Sequence, residues 1–167
     1  LRMPLVDFFS LKSNLSKNII DASSMLWKLR IIKSNSEIDK INNICRITSD
    51  AYENLPLIIK EGDNERDISR KLRIDLISRG ADSIPFLPIV SGEGGVSQII
   101  CEPTNRRLKN GDILFIDTGS TYDGYFCDFD RNYSIGKVSD IVNDVYEILW
   151  IATQSAIDVA KPGITLS

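Results

Sequence analysis

Residues 109–136, KNGDILFIDTGSTYDGYFCDFDRNYSIG, carry the pattern that decides the fold. The stretch opens on a turn signal, Asn110-Gly111-Asp112, and continues as a short apolar run from Ile113 to Ile116 that ends on an acid, Asp117. A loop rich in Gly, Ser, Thr and Asp follows. An aromatic segment with Tyr122, Tyr125, Phe126 and Phe129 then leads into Asp128, Asp130 and Arg131. Apolar and aromatic runs bounded by turn residues predict the two strands of a hairpin. Centring its loop between Tyr122 and Asp123 places Asp117 directly opposite Asp128. Directly opposed residues project from one face with Cβ atoms roughly 5 Å apart. Two carboxylates so placed repel unless one is protonated or a cation lies between them. Oxygen ligands of this kind suit divalent ions such as Mn, Co, Zn or Mg. Two carboxylates make at most half of such a site.

Around this hairpin, the 167 residues amount to one domain of ordinary size, or one plus a tail. A hydrophobic share of 43% and a charged share of 26% are those of a soluble globular protein. The net charge of −3 offers no basic footprint for nucleic acid. No apolar run approaches the ~20 residues of a membrane span. The first residues, LRMPLVDFFS, lack the basic start and long apolar core of a secretory signal. Cys45, Cys101 and Cys127 stand at unrelated spacings and form neither a metal motif nor an even disulfide framework, so a reducing, cytoplasmic setting is expected. Histidine is absent from the sequence. That excludes Ser-His-Asp and Cys-His nucleophile schemes, histidine metal ligands and an imidazole base within these residues.

Residues 1–33 read as the tail of a preceding domain or a linker, with Trp27 and Leu29 expected to pack on a neighbouring surface; a plain N-terminal extension is the alternative. Ser34 and Glu37 make a capping box. Ile38, Ile41, Ile44, Cys45, Thr48, Tyr52 and Leu55 follow at helical spacing as one apolar stripe. Pro56 kinks or ends that helix and Gly62 stops it. A second helix starts near Asp63 or Asn64, carries Ile68, Leu72 and Leu76, and closes at Gly80. Residues 85–90, PFLPIV, predict a strand with its prolines at the ends. Residues 91–95, SGEGG, predict a flexible turn, too short and wrongly spaced for a phosphate loop. After Gly136, Ser139 or Asp140 caps a long helix that Lys161-Pro162-Gly163 ends.

Several of these residues form a larger set. Arg30 to Ser34 with Glu37 and Ile38, Ser91-Gly92, Pro103-Thr104-Asn105-Arg106, Gly111-Asp112, Asp117-Thr118-Gly119, Gly124-Tyr125, Asp128 with Arg131, and Lys161-Pro162-Gly163 recur in a characteristic order. In order and spacing the set resembles the pita-bread family of creatinases, Xaa-Pro aminopeptidases and dipeptidases, and methionine aminopeptidases. The creatinase and Xaa-Pro peptidase branch fits best, over roughly residues 22–167. The resemblance implies an α+β fold, an antiparallel sheet with covering helices. Residues 34–167 would be the N-terminal half of a pita-bread catalytic domain. Such a domain has two similar halves enclosing two divalent ions (Mn, Co or Zn), held by two Asp from the first half and by a His and two Glu from the second. By motif, Asp117 matches the Asp that chelates one ion and Asp128 the Asp that bridges both. Together the ions activate water and polarise a scissile carbonyl. The resemblance thus implies a metal-dependent hydrolase acting on a peptide or related C–N bond, with a peptide or small-molecule substrate and no nucleic-acid or membrane partner.

Two departures qualify the pattern. The second-half His and Glu ligands have no counterpart, which implies truncation on both sides of these 167 residues. Ile100 stands four residues before Thr104, where many members place a substrate-contacting His, and it cannot move a proton. The alternatives are a non-catalytic pita-bread binding module, or a creatinase- or lyase-type member acting on a small molecule. In isolation the chain is expected to bind metal weakly or not at all, and to form a homodimer through its exposed apolar face. Asp130 shares the face of Asp128 and is expected to pair with Arg131 or lie at the surface, ahead of acting as an extra ligand. Arg131 is expected to steady the carboxylates, and Tyr125 to pack or to line the site. Cys101 and Cys127 are expected to be buried packing residues.

Overall fold

The computed structural model describes residues 3–15, 19–92, 97–98 and 100–165. The chain divides into two compact units, Leu1–Ile38 and Asp39–Ser167. The first contains helices α1 (Leu5–Asn14) and α2 (Ser23–Ile31), neither of which buries a residue. Asp7 in the first turn of α1 and Lys12 in its last turn complement the helix dipole. Trp27 and Leu29, expected to pack on a neighbour, are 69% and 71% exposed.

Helix α3 (Asn35–Ile58) spans the division. At its start the Ser34 N–H and Oγ both donate to Glu37 Oε2, at 2.7 and 2.8 Å. This is the returning half of the expected capping box. Pro56 lies inside the last turn rather than ending the helix. Its missing N–H would leave the Tyr52 carbonyl one turn back without a donor, and the Tyr133 hydroxyl fills that role at 2.9 Å. Helix α4 (Glu65–Ser78) starts where Asn64 Oδ1 accepts the Asp67 N–H at 2.9 Å.

The sheet has four antiparallel strands: β1 (Ser83–Phe86), β2 (Ile89–Ser91), β3 (Ile113–Tyr122) and β4 (Tyr125–Ser134). The single strand expected over 85–90 is therefore two. β1 pairs with the end of β3 and β2 with its beginning, while β4 occupies the other edge over the full length of β3. The break falls at Leu87 and Pro88, where Pro88 has no N–H for a ladder. Its carbonyl still accepts the Asp117 N–H at 3.1 Å. The expected turn over 91–95 falls mostly outside the described residues.

Period-two alternation gives the hairpin two unlike faces. Leu114, Ile116, Thr118 and Ser120 pair with Tyr133, Arg131, Phe129 and Cys127. This face forms one core with Ile44, Ile47, Ala51, Tyr52 and Leu55 of α3 and Ile68, Leu72 and Leu76 of α4. Each fully buried Leu or Ile contributes about 1.5–3 kcal/mol. Ile47 and Ala51 widen the stripe read from sequence, whereas Ile38 stays 44% exposed. Polar atoms in this core are mutually satisfied. Thr48 Oγ1 lies 2.9 Å from Ser120 Oγ and 3.1 Å from Cys127 Sγ. The Tyr52 hydroxyl lies 2.8 Å from Thr118 Oγ1.

On the other face Ile113, Phe115, Asp117, Gly119 and Thr121 oppose Ser134, Asn132, Asp130, Asp128 and Phe126. Helix α5 (Asp140–Val159) buries no residue. Its Ile141, Val145, Tyr146 and Leu149 enclose, with Ile113 and Phe115, an open cavity of about 410 Å³. Among the described residues no helix is long and apolar enough to cross a membrane.

Candidate functional site

Asp123 and Gly124 form the hairpin's two-residue turn, with φ of 46° and 82°, and Tyr122 pairs with Tyr125. Positive φ at both central positions is what a type I′ turn requires, and Asp-Gly supplies it at low cost. The centre therefore lies one residue beyond the expected place. Asp117 opposes Asp130, and Asp128 opposes Gly119. Moving the centre by one residue moves each partner by two, so every side chain keeps its face. Asp117, Asp128 and Asp130 consequently share the open face, with Asp117 and Asp128 a diagonal pair about 7 Å apart rather than about 5 Å.

The electrostatics follow from this placement. Partial burial pushes the Asp117 carboxyl above its ordinary value of 3.8, and the negative charges of Asp128 and Asp130 push in the same direction. Burial likewise raises Asp130; Arg131 opposes the shift and Asp128 adds to it. Among the described residues no group of three or more His, Cys, Asp or Glu side chains is close enough to hold a metal ion. The chemistry of the donors, carboxylate oxygens carried on two paired strands, fits a hard or borderline divalent cation in kind. It supplies only part of a coordination shell.

Two expected supporting residues lie elsewhere. Arg131 pairs with Ile116, on the helix-covered face. Its guanidinium sits 4.9 Å from the Phe129 ring centroid and donates to the Asp130 main-chain carbonyl at 2.7 Å. Neither the ion pair with Asp130 nor a direct hold on the carboxylates is formed. Tyr125 is also on the helix side, at the hairpin tip, with Lys40 Nζ of α3 5.4 Å from its ring centroid. It packs there and does not line the open face. Ile100 is 75% exposed. Cys127 is buried, Cys101 is half-buried, and all three cysteines are free.

Four of the remaining motif residues, Ser91, Thr104, Arg106 and Asp112, converge on a second cluster. Buried Glu65, at the start of α4, accepts from Ser91 Oγ at 2.6 Å, from the Thr104 N–H at 2.9 Å and from Thr104 Oγ1 at 2.6 Å. Arg106 Nη1 donates to Ser91 Oγ at 2.7 Å, and its two terminal nitrogens fork onto Asp112 at 2.6 and 2.8 Å. The bond from Arg106 holds the Asp112 carboxyl below the usual carboxylate range, and the Lys109 N–H helps. Gly92, at φ 68°, lies so close that a Cβ would overlap the guanidinium. Ser91-Gly92, Thr104, Arg106 and Asp112 thus form a clamp rather than a reactive group. Glu65, its centre, carries no distinguishing signal in the sequence, because a Glu in the first turn of a helix reads as an ordinary surface residue.

Comparison with known proteins matches the same region. The model of metallopeptidase family M24 covers residues 39–167. The Xaa-Pro dipeptidase of Pyrococcus furiosus is 30% identical over 165 residues, which is 99% of this chain and 47% of the relative. An uncharacterised peptidase of Bacillus subtilis is 29% identical over 147 residues, 88% of this chain and 42% of its own length. Among solved structures, the X-Pro aminopeptidase of Thermotoga maritima superposes with a TM-score of 0.87 at 28% identity, over 98% of this chain and 47% of that one. The Pyrococcus furiosus prolidase gives 0.88 at 28% identity, over 98% and 48%. The chain spans about half the length of the relatives it matches. With the expected α+β architecture in place and a family match running through the hairpin and its carboxylates, this chain belongs to metallopeptidase family M24.

Proposed function

We propose that this chain supplies the Asp117 and Asp128 ligands of a two-ion peptidase acting on Xaa-Pro peptides, the remaining ligands coming from residues outside these 167. The observation that carries the reading is that both acids share the open face of one hairpin without an ion-paired cation among the described residues. Relatives named Xaa-Pro dipeptidase and X-Pro aminopeptidase support the substrate class. Divalent ions bound there would supply an activated water and polarisation of the scissile carbonyl. Asp117 and Asp128 would grip from adjacent strands, and the Tyr52 hydroxyl holds Thr118, next to Asp117, from the opposite face. Asp130, opposite Asp117, would add negative charge beside them. In a polypeptide of the relatives' length, Mn content by elemental analysis should be two ions per chain. Asp128→Asn should lose that binding while its circular dichroism is retained. Normal stoichiometry in the variant would sink the assignment.

A second reading, a binding module without catalysis, is favoured by Ile100, an exposed aliphatic residue with no proton to move. It would stand if the metal-loaded polypeptide bound Xaa-Pro dipeptides without cleaving them.

A further inference from the structure

We infer that Cys45 of α3 and Cys127 of β4 form a redox-sensitive latch: on exchange with a low-molecular-weight disulfide the two thiols join, and the bond ties the helix to the strand that carries Asp128. The inference stands apart from the peptidase reading, because both thiols lie on the helix-covered side of the hairpin.

Three observations point to it. First, α3 and β4 run in step along their boundary. The Tyr52 hydroxyl lies 3.2 Å from the Phe129 carbonyl, Thr48 Oγ1 lies 3.1 Å from Cys127 Sγ, and Lys40 Nζ sits 5.4 Å from the Tyr125 ring centroid. Moving back along the helix therefore meets alternate residues of the strand in order. Cys45 precedes Thr48 by three residues and Tyr52 by seven, which puts all three on one side of the helix. It falls between Thr48 and Lys40, beside the stretch of β4 from Cys127 to Tyr125.

Second, the side chains where the two elements meet are small. Thr48 Oγ1 and Ser120 Oγ lie 3.1 and 3.4 Å from Cys127 Sγ, so no bulky group holds the helix away from the strand there. Cys45 packs against the same core. Burial, and after it the charge of Cys127, push the Cys45 thiol above its ordinary 9.0, as a nearby like charge does.

Third, unequal access gives the pair an order of reaction. Cys45 is half-buried and Cys127 is buried. A small disulfide reaches Cys45 first, and Cys127 waits beneath it. The Cys45 thiolate attacks one sulfur of RSSR, forms Cys45–S–SR and releases RS−. The Cys127 thiolate then attacks Cys45 Sγ and expels the second RS−. The protein gives up two protons and two electrons, and RSSR leaves as two RSH. The new bond closes a long loop of chain, which stabilises the fold by constraining the unfolded state.

The test uses a polypeptide of the relatives' length, folded and free of denaturant. It is incubated with excess glutathione disulfide at mildly alkaline pH, where thiolate is populated, and then alkylated. Peptide mapping by mass spectrometry should find Cys45 linked to Cys127 with the loss of two hydrogens, and dithiothreitol should reverse the link. Cys127→Ala should stop with glutathione on Cys45, and Cys45→Ala should leave Cys127 unmodified. The urea midpoint of the linked protein should lie above that of the reduced protein. Glutathione resting on Cys45 while Cys127 is still free overturns the latch, because the second thiol is then out of reach. A Cys45 that stays unmodified in the folded protein, a link to Cys101 instead, or a lower urea midpoint in the linked protein overturns it as well.

Discussion

Two acidic clusters lie within a few residues of each other, and they are opposites. In the clamp, Asp112 receives two bonds from Arg106 and one from the Lys109 N–H, and buried Glu65 receives three from Ser91 and Thr104. On the open face, Asp117 and Asp130 oppose each other, and only burial and charge act on Asp117. A partnered acid stabilises the frame and holds its neighbours in place. An acid set against like charges costs stability, and such local conflict belongs at sites kept for a ligand. Residues from one motif series therefore divide into two jobs according to what the tertiary structure brings to each.

Breaking the clamp should have the largest effect. Arg106→Ala would leave Asp112 without its fork and remove the donor to Ser91. About 2–4 kcal/mol should be lost, read from urea midpoints. A loss below about 1 kcal/mol would reduce the clamp to an ordinary surface pair. Acid gives a second, gentler handle. The folded Asp112 carboxyl lies below its ordinary 3.8. Its stabilisation is therefore complete above that value and is lost as pH falls through the window beneath it. Urea midpoints measured from about pH 5 to about pH 2 should show this acid limb. Asp112→Asn should flatten it, and an unchanged slope would assign the limb to other acids. The smallest effect, of opposite sign, belongs to the open face. Asp130→Asn removes a like charge directly across from Asp117 and should raise stability at neutral pH, without divalent ions, by less than about 1 kcal/mol. A lower melting temperature would mean that Asp130 has a stabilising partner.

Much of this was legible from sequence, and the misses have identifiable causes. The helices α3 and α4 follow from apolar spacing and their caps; α5 starts at the expected Ser139, whose side chain makes no cap bond. The hairpin follows from two strand patterns around a turn, but those patterns centre it one residue early. The signal that corrects it is Asp123-Gly124, the dipeptide that accepts positive φ at both positions. Proximity along the chain alone puts Arg131 and Tyr125 near the acids. Both are odd-numbered on β4, and alternation sends them to the helix side, away from even-numbered Asp128 and Asp130. The stretch PFLPIV read as one strand because apolar content does not reveal where a proline interrupts a ladder.

By itself, then, the sequence determined that Asp117, Asp128 and Asp130 lie on one face of one hairpin. That outcome survived the shifted turn because side chains alternate with a period of two and each partner moved by two. Only the tertiary structure decided what those acids and their neighbours meet. Glu65 reaches Thr104 across 39 residues, and Phe86 settles on Gly119 from another strand. Such meetings depend on how distant segments close on one another, which no local period encodes.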